Sequence, residues 1–108
     1  MKNRKIIAKI INYIDNILKY TAHVDYNEFK HNTMMIDACV FNLSQIGELV
    51  NKLDEEYTLK NSEISWFEIR GLRNRIVHDY EGLNIKLIWE IIDVDIKMLR
   101  DQLYKLLD

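Results

Sequence analysis

Residues 6–18, IIAKIINYIDNIL, carry the pattern that decides the fold, because isoleucine and leucine recur there at intervals of three and four. Such intervals place apolar side chains on one face of a helix. The stretch therefore predicts an amphipathic helix over about residues 3–21. Lys2, Lys5 and Lys9 lie on its other side and are expected to form a solvated face, with contact to a phosphate backbone as the alternative.

The same intervals recur in residues 34–53 and 85–103 and predict two further helices. Asp25 and Glu28 have the spacing of a capping box that would open the first of them, and Asn84 can cap the second. Residues 34–53 are apolar on several sides, so this helix needs cover from more than one neighbour. A second subunit could provide part of that cover.

Gly47 lies in the middle of that apolar helix, where a glycine costs about 1 kcal/mol relative to alanine. Its presence predicts that a neighbouring backbone approaches closely at this point. Glu48 beside it is expected to face solvent or to form an ion pair, with a contact near a functional site as the alternative.

One more helix is expected over about residues 65–80, after a connector at residues 54–64 that contains about one helical turn. Ser65 and Glu68 have capping-box spacing at the start of this helix. Gly82 follows its expected end, where a glycine supplies a stop.

Arg73 falls inside the apolar stripe of that helix when residues are placed 100° apart. A guanidinium there is costly unless a carboxylate or a phosphate meets it. The alternatives are that Arg73 extends to the surface or forms an internal ion pair, with His78 at the border of the core. Arg75 and Asp79 have the spacing of a surface ion pair.

Turn-forming residues are scarce in this chain, which has 108 residues with three glycines and no proline. A β-sandwich or a doubly wound sheet needs many such residues, so their scarcity argues against both folds. We expect an all-α bundle of about four or five helices, forming one domain over residues 1–108.

The net charge of −2 provides no general attraction for nucleic acid, so any RNA chemistry must lie in a local site. Cys39 is the one cysteine and rules out an internal disulfide. Three histidines and one cysteine are too few for a zinc site, and no metal or cofactor is expected. The basic N-terminus lacks a continuous apolar segment and a cleavage site, which favours a cytoplasmic protein.

Residues 73–80, RNRIVHDY, resemble the R-N-x-x-x-H-x-Y signature of HepT-type proteins in the HEPN superfamily. Three further features occur in the chain order expected for this family: Ile46-Gly47-Glu48 and Ser65-Trp66 before the motif, and Trp89 after it. The resemblance extends from about residue 5 to residue 105. Asp79 stands where the family often has glycine.

The resemblance implies a HEPN-like homodimer that acts as a metal-independent toxin endoribonuclease, with the motifs of two subunits facing each other across a cleft. His78 would take the proton from an RNA 2′-OH, since imidazole titrates near pH 6.5. Arg73 would stabilise charge on the phosphate, and Asn74 would orient His78 or the phosphate. This chemistry requires the 2′-OH and therefore excludes DNA.

Tyr80 has a separate role by the same resemblance, as the acceptor of AMP from an MntA-like nucleotidyltransferase antitoxin. The chain would then be the toxin of a type VII HEPN/nucleotidyltransferase toxin–antitoxin system. The alternatives are a non-catalytic HEPN module that docks a nucleotidyltransferase partner, and an unrelated helical dimerisation domain.

Overall fold

The computed structural model describes residues 2–78 and 82–107, with Val77 and His78 described by their backbone alone. These residues are predominantly helical, which confirms the all-α prediction. The α-helices are α1 (Lys2–Tyr20), α2 (Tyr26–Lys30), α3 (Thr33–Val50), α4 (Glu55–Lys60), α5 (Trp66–Arg70), α6 (Leu72–Ile76), α7 (Ile85–Glu90) and α8 (Ile96–Leu107). A π-helical segment (Ile91–Asp95) joins α7 to α8, and two short strands, β1 (Val77–His78) and β2 (Gly82–Leu83), pair antiparallel.

Helix α1 confirms the prediction made from residues 6–18. It packs against α3 and α8, and its isoleucine face is buried at Ile6, Ile7, Ile10, Ile11, Ile14 and Ile17. The lysine side is exposed, and the ammonium of Lys2 pairs with the carboxylate of Asp54 at 2.8 Å. Among the described residues, no helix is long and apolar enough to cross a membrane.

The capping box at Asp25 is present, but the helix that it opens is short. The side chain of Asp25 accepts from the Glu28 N–H at 2.8 Å, and α2 ends at Lys30. Asn32 then caps a new helix, α3, by accepting from the Met35 N–H at 3.0 Å. The prediction of one continuous helix from Asp25 was therefore wrong, because the asparagine side chain competes for backbone donors and starts a helix of its own.

Helix α3 is the central helix, and α1, α2, α5 and α6 all pack against it. This confirms the prediction that the apolar helix is covered on more than one side. Its outermost apolar stripe remains uncovered: the side chains of Met34 and Phe41 are 85% and 59% exposed.

Gly47 confirms the predicted close approach between two backbones. A Cβ added to this residue would lie 3.1 Å from the carbonyl oxygen of Ile69 and 3.4 Å from that of Arg70. Helix α5 thus packs directly on the backbone of α3.

The single helix expected over residues 65–80 is divided, and that prediction was wrong. Gly71 ends α5, α6 ends at Ile76, and the chain continues into β1. Glycine has the lowest helix propensity after proline, which explains a break at this position. Ser65 makes no side-chain capping bond. Gly82 lies in β2 with a positive φ of 87°, a conformation that glycine adopts without strain, and does not end a helix.

The last helical stretch begins as predicted, with the Asn84 side chain accepting from the Leu87 N–H at 3.1 Å. Its main stripe is buried at Ile88, Ile92, Ile96, Leu99 and Leu103. The second predicted stripe was wrong at Val94 and Met98, which are exposed. The π-helical segment changes the angular position of the residues around it, so a count at 100° per residue does not hold there.

Candidate active site

Helix α6 carries Arg73 and Asn74 on its solvent side. Leu72 and Ile76 are buried at the two ends of this helix and hold it against the core, whereas Arg73, Asn74 and Arg75 are exposed. The prediction that Arg73 lies inside an apolar stripe was wrong, because the interruption at Gly71 brings Leu72 into the buried row instead.

The internal ion pair considered for Arg73 is not formed with any residue of the described ranges. Its exposed guanidinium has planar donors that match the oxygens of a phosphate. Arg73 can therefore bind an anion from solvent without any opening of the core.

His78 lies two residues after the end of α6, in strand β1, whose backbone pairs with that of β2. Its partner in the antiparallel pair is Gly82, and Val77 pairs with Leu83. The Asn84 N–H also donates to the carbonyl of Ile76 at 2.9 Å. The change from helix to strand after Ile76 removes the separation of about 140° that a continuous helix would impose on Arg73 and His78. That their side chains converge stays a prediction, and Tyr80 and Asp79 lie outside the described residues.

Helix α5 provides a firm base for this segment. Trp66 is buried, and its indole N–H donates to the carbonyl of Asn61 at 3.0 Å. Ile69 is buried one turn later, and its carbonyl meets Gly47 of α3. Glu48, next to Gly47, is exposed, as expected.

The local charge of this segment is opposite to that of the whole chain. Residues 70–78, RGLRNRIVH, contain three arginines and one histidine without an acidic residue, although the chain has a net charge of −2. Arg70, Arg73 and Arg75 are all exposed. Arg70 was not predicted as a site residue, although the basic residues that follow it in the sequence were a signal for an anion-binding segment.

A groove of about 290 Å³ is lined by residues of α5, α6, the π-helical segment and α8. Its lining includes the acidic residues Glu63, Glu68 and Asp95, with Arg75 as the basic residue. Carboxylates repel phosphates, so this groove is a poor path for RNA. Within residues 2–78 and 82–107, no group of three His, Cys, Asp or Glu side chains is placed to hold a metal ion.

Comparisons with known proteins agree with the motif. The family model described as "Ribonuclease HepT-like" matches residues 10–106. The chain is 30% identical to "Putative RNase TTE0752" of Caldanaerobacter subterraneus subsp. tengcongensis, over 96% of this chain and 93% of that protein. It is 30% identical to "Putative RNase MJ1380" of Methanocaldococcus jannaschii, over 92% of this chain and 91% of that protein.

"Probable ribonuclease HepT" of Thermococcus cleftensis is 23% identical over 96% of this chain and 94% of its own length. No solved structure matches. The family match covers nearly the whole chain and includes the residues that carry the motif. This protein therefore belongs to the HepT-like ribonuclease family.

Proposed function

We propose that this protein is a metal-independent endoribonuclease and the toxin of a type VII HEPN/nucleotidyltransferase toxin–antitoxin system. It acts on cytoplasmic RNA as a homodimer, and each subunit consists of one HepT-like domain. The observation that supports this best is the arrangement of α6, which presents Arg73 to solvent and leads directly into the backbone-paired His78.

The reaction uses the substrate's own hydroxyl as the nucleophile. His78 takes the proton from the 2′-OH, and the oxygen attacks the adjacent phosphorus while the bond from phosphorus to the 5′-oxygen breaks. Arg73 stabilises the negative charge that gathers on the phosphate oxygens. Asn74 hydrogen bonds to the phosphate or to His78. The products are a 2′,3′-cyclic phosphate and a 5′-hydroxyl.

A second subunit completes this mechanism, because its His78 can protonate the leaving 5′-oxygen. Met34 and Phe41, the exposed apolar residues of α3, support such an assembly. Apolar side chains on one face of a helix are typical of an interaction surface. Helix α3 also packs against α6, the helix that carries Arg73.

Regulation is proposed to occur at Tyr80, through AMP transfer from an MntA-like nucleotidyltransferase antitoxin. The added phosphates bring negative charge into the segment that carries Arg73, and they compete with RNA for it. Incubation with that partner and ATP should add the mass of AMP units to the parent protein. A Tyr80→Phe variant that accepts the same label would contradict this assignment.

Cleavage of RNA by the purified protein in EDTA tests the main proposal. The parent should cut RNA. It should not cut an otherwise identical strand that has a 2′-deoxy nucleotide at the cleavage position. His78→Ala should abolish cutting while circular dichroism shows the parental helix content. A parent protein that binds the nucleotidyltransferase and cuts no RNA would instead establish the docking-module alternative.

A further inference from the structure

Phe67 is an apolar side chain without cover in a helix that is otherwise well anchored. It is 85% exposed, whereas Trp66 and Ile69 in the same helix are 6% and 8% exposed. Burying a phenylalanine side chain contributes about 1.5–3 kcal/mol, so one left in water contributes nothing of that to folding. The ring is therefore available for contact with a molecule outside the fold.

Phe67 has an arginine close to it on its own helix. Arg70 lies one turn further along α5, within side-chain reach on a helix surface. Arg73 and Asn74 are exposed on the next helix, α6, after the break at Gly71. From α5 and α6, the acidic groove is lined by Ser65, Glu68, Ile69, Leu72 and Arg75, so Phe67, Arg70, Arg73 and Asn74 lie outside its lining.

We propose that Phe67 stacks on an unpaired base of the RNA whose phosphate is bound by Arg73, with Arg70 binding a neighbouring phosphate. This inference rests on the proposed ribonuclease function and names its substrate class as single-stranded RNA. An aromatic ring beside arginines is the combination that single-strand binding proteins use, because every base offers a face for stacking. A base inside a duplex is already stacked on both faces and has none to offer.

The rigidity of α5 makes the ring an effective platform. The indole hydrogen bond of Trp66 to Asn61 and the contact of Gly47 with the carbonyl of Ile69 hold the helix on both sides of Phe67. Because the backbone is already fixed, binding of a base costs only the rotamer freedom of the Phe67 side chain.

Binding of RNA to variants in a His78→Ala background tests the proposal, because this background separates binding from cleavage. Phe67→Ala should weaken binding of a fluorescent single-stranded RNA at least about fivefold and leave binding of a duplex unchanged. Phe67→Trp should restore single-strand binding, whereas Phe67→Leu should not. Leu59→Ala is the matched control, because Leu59 is 69% exposed on α4 and should have no effect.

Arg70→Ala should lower the slope of log affinity against log salt by about 0.7, the effect of one phosphate contact on a single strand. Phe67→Ala should leave that slope unchanged. Single-strand binding by Phe67→Ala within twofold of the background protein would overturn the proposal, as would full restoration by Phe67→Leu. A change in oligomeric state in Phe67→Ala would instead assign Phe67 to a subunit interface. If the parent cuts no RNA while this pattern holds, only the ribonuclease proposal fails.

Discussion

Gly47 of α3 and Ile69 of α5 meet backbone to backbone, with the carbonyl oxygen of Ile69 only 3.1 Å from the position of a Cβ on Gly47. The segment that carries Arg70 and Arg73 is thus positioned by a main-chain contact at a residue without a side chain. Any larger residue at position 47 pushes on that segment.

Gly47→Ala should lower the free energy of unfolding by about 1 kcal/mol, because the carbonyl that it meets belongs to the backbone and cannot rotate away. Overpacking of about 1–3 kcal/mol then exceeds the gain of about 1 kcal/mol in helix propensity. It should also lower RNA cleavage by displacing α5. Gly71→Ala is the matched control, since a Cβ there meets carbonyl oxygens at an ordinary 3.7 Å. Urea denaturation of both variants measures the difference. Equal stability of the two would contradict the role given to Gly47.

Arg73→Ala should reduce RNA cleavage by about 10²–10³-fold, the usual loss when a charge-stabilising donor is removed. Its melting temperature should match that of the parent, because Arg73 is exposed. Arg73→Lys should recover only part of the activity, because an ammonium lacks the planar pair of donors. Arg4→Ala, at an exposed position in α1, serves as the control. A lower melting temperature for Arg73→Ala would show that the arginine has a structural role.

Cys39 predicts a loss of stability at alkaline pH. Its thiol is fully buried in α3, and desolvation raises its pKa from 9.0 to about 11. In the unfolded chain the thiol ionises first, so this contribution to stability is complete below pH 9 and falls as the pH rises towards 11. Urea denaturation between pH 8 and pH 11 should show a steeper decline for the parent than for Cys39→Ala. Parallel curves would contradict the prediction.

Gly82→Ala should destabilise the strand pair that holds the His78 backbone. Gly82 has a φ of 87°, and an alanine there costs about 1–2 kcal/mol, although within the described residues no atom beyond the chain neighbours lies within 4 Å of the added carbon. Gly82→Asn should cost less, because asparagine tolerates positive φ better than alanine does. Thermal unfolding ranks the two variants, and the opposite order would show that backbone strain is not the cause.

Periodicity and capping residues were sufficient to predict the long elements of the fold. Helix α1 and the cap at Asn84 could be read from residue spacing, because each depends on local chemistry. The close approach at Gly47 could be read from the presence of a glycine in the middle of an apolar helix. The breaks at Asn32 and Gly71 could not, since the apolar pattern continues across both and the cost of a break depends on tertiary packing.

The candidate site shows the same division. The motif pointed to Arg73, Asn74 and His78 as candidates. A helical wheel that assumed one continuous helix through Gly71 placed Arg73 on the wrong side. Phe67 was missed because an aromatic residue beside Trp66 is expected to be part of the core, and its exposure becomes visible only in the folded structure.

The attachment of α5 through main-chain atoms leaves its outward positions open to variation. Positions 67 and 70 contribute surface rather than core, so new side chains there are tolerated by the scaffold. A library randomised at these two positions should express as well as the parent while exploring different sequence preferences. The same freedom would allow HepT-like ribonucleases to diverge in target choice while keeping one architecture.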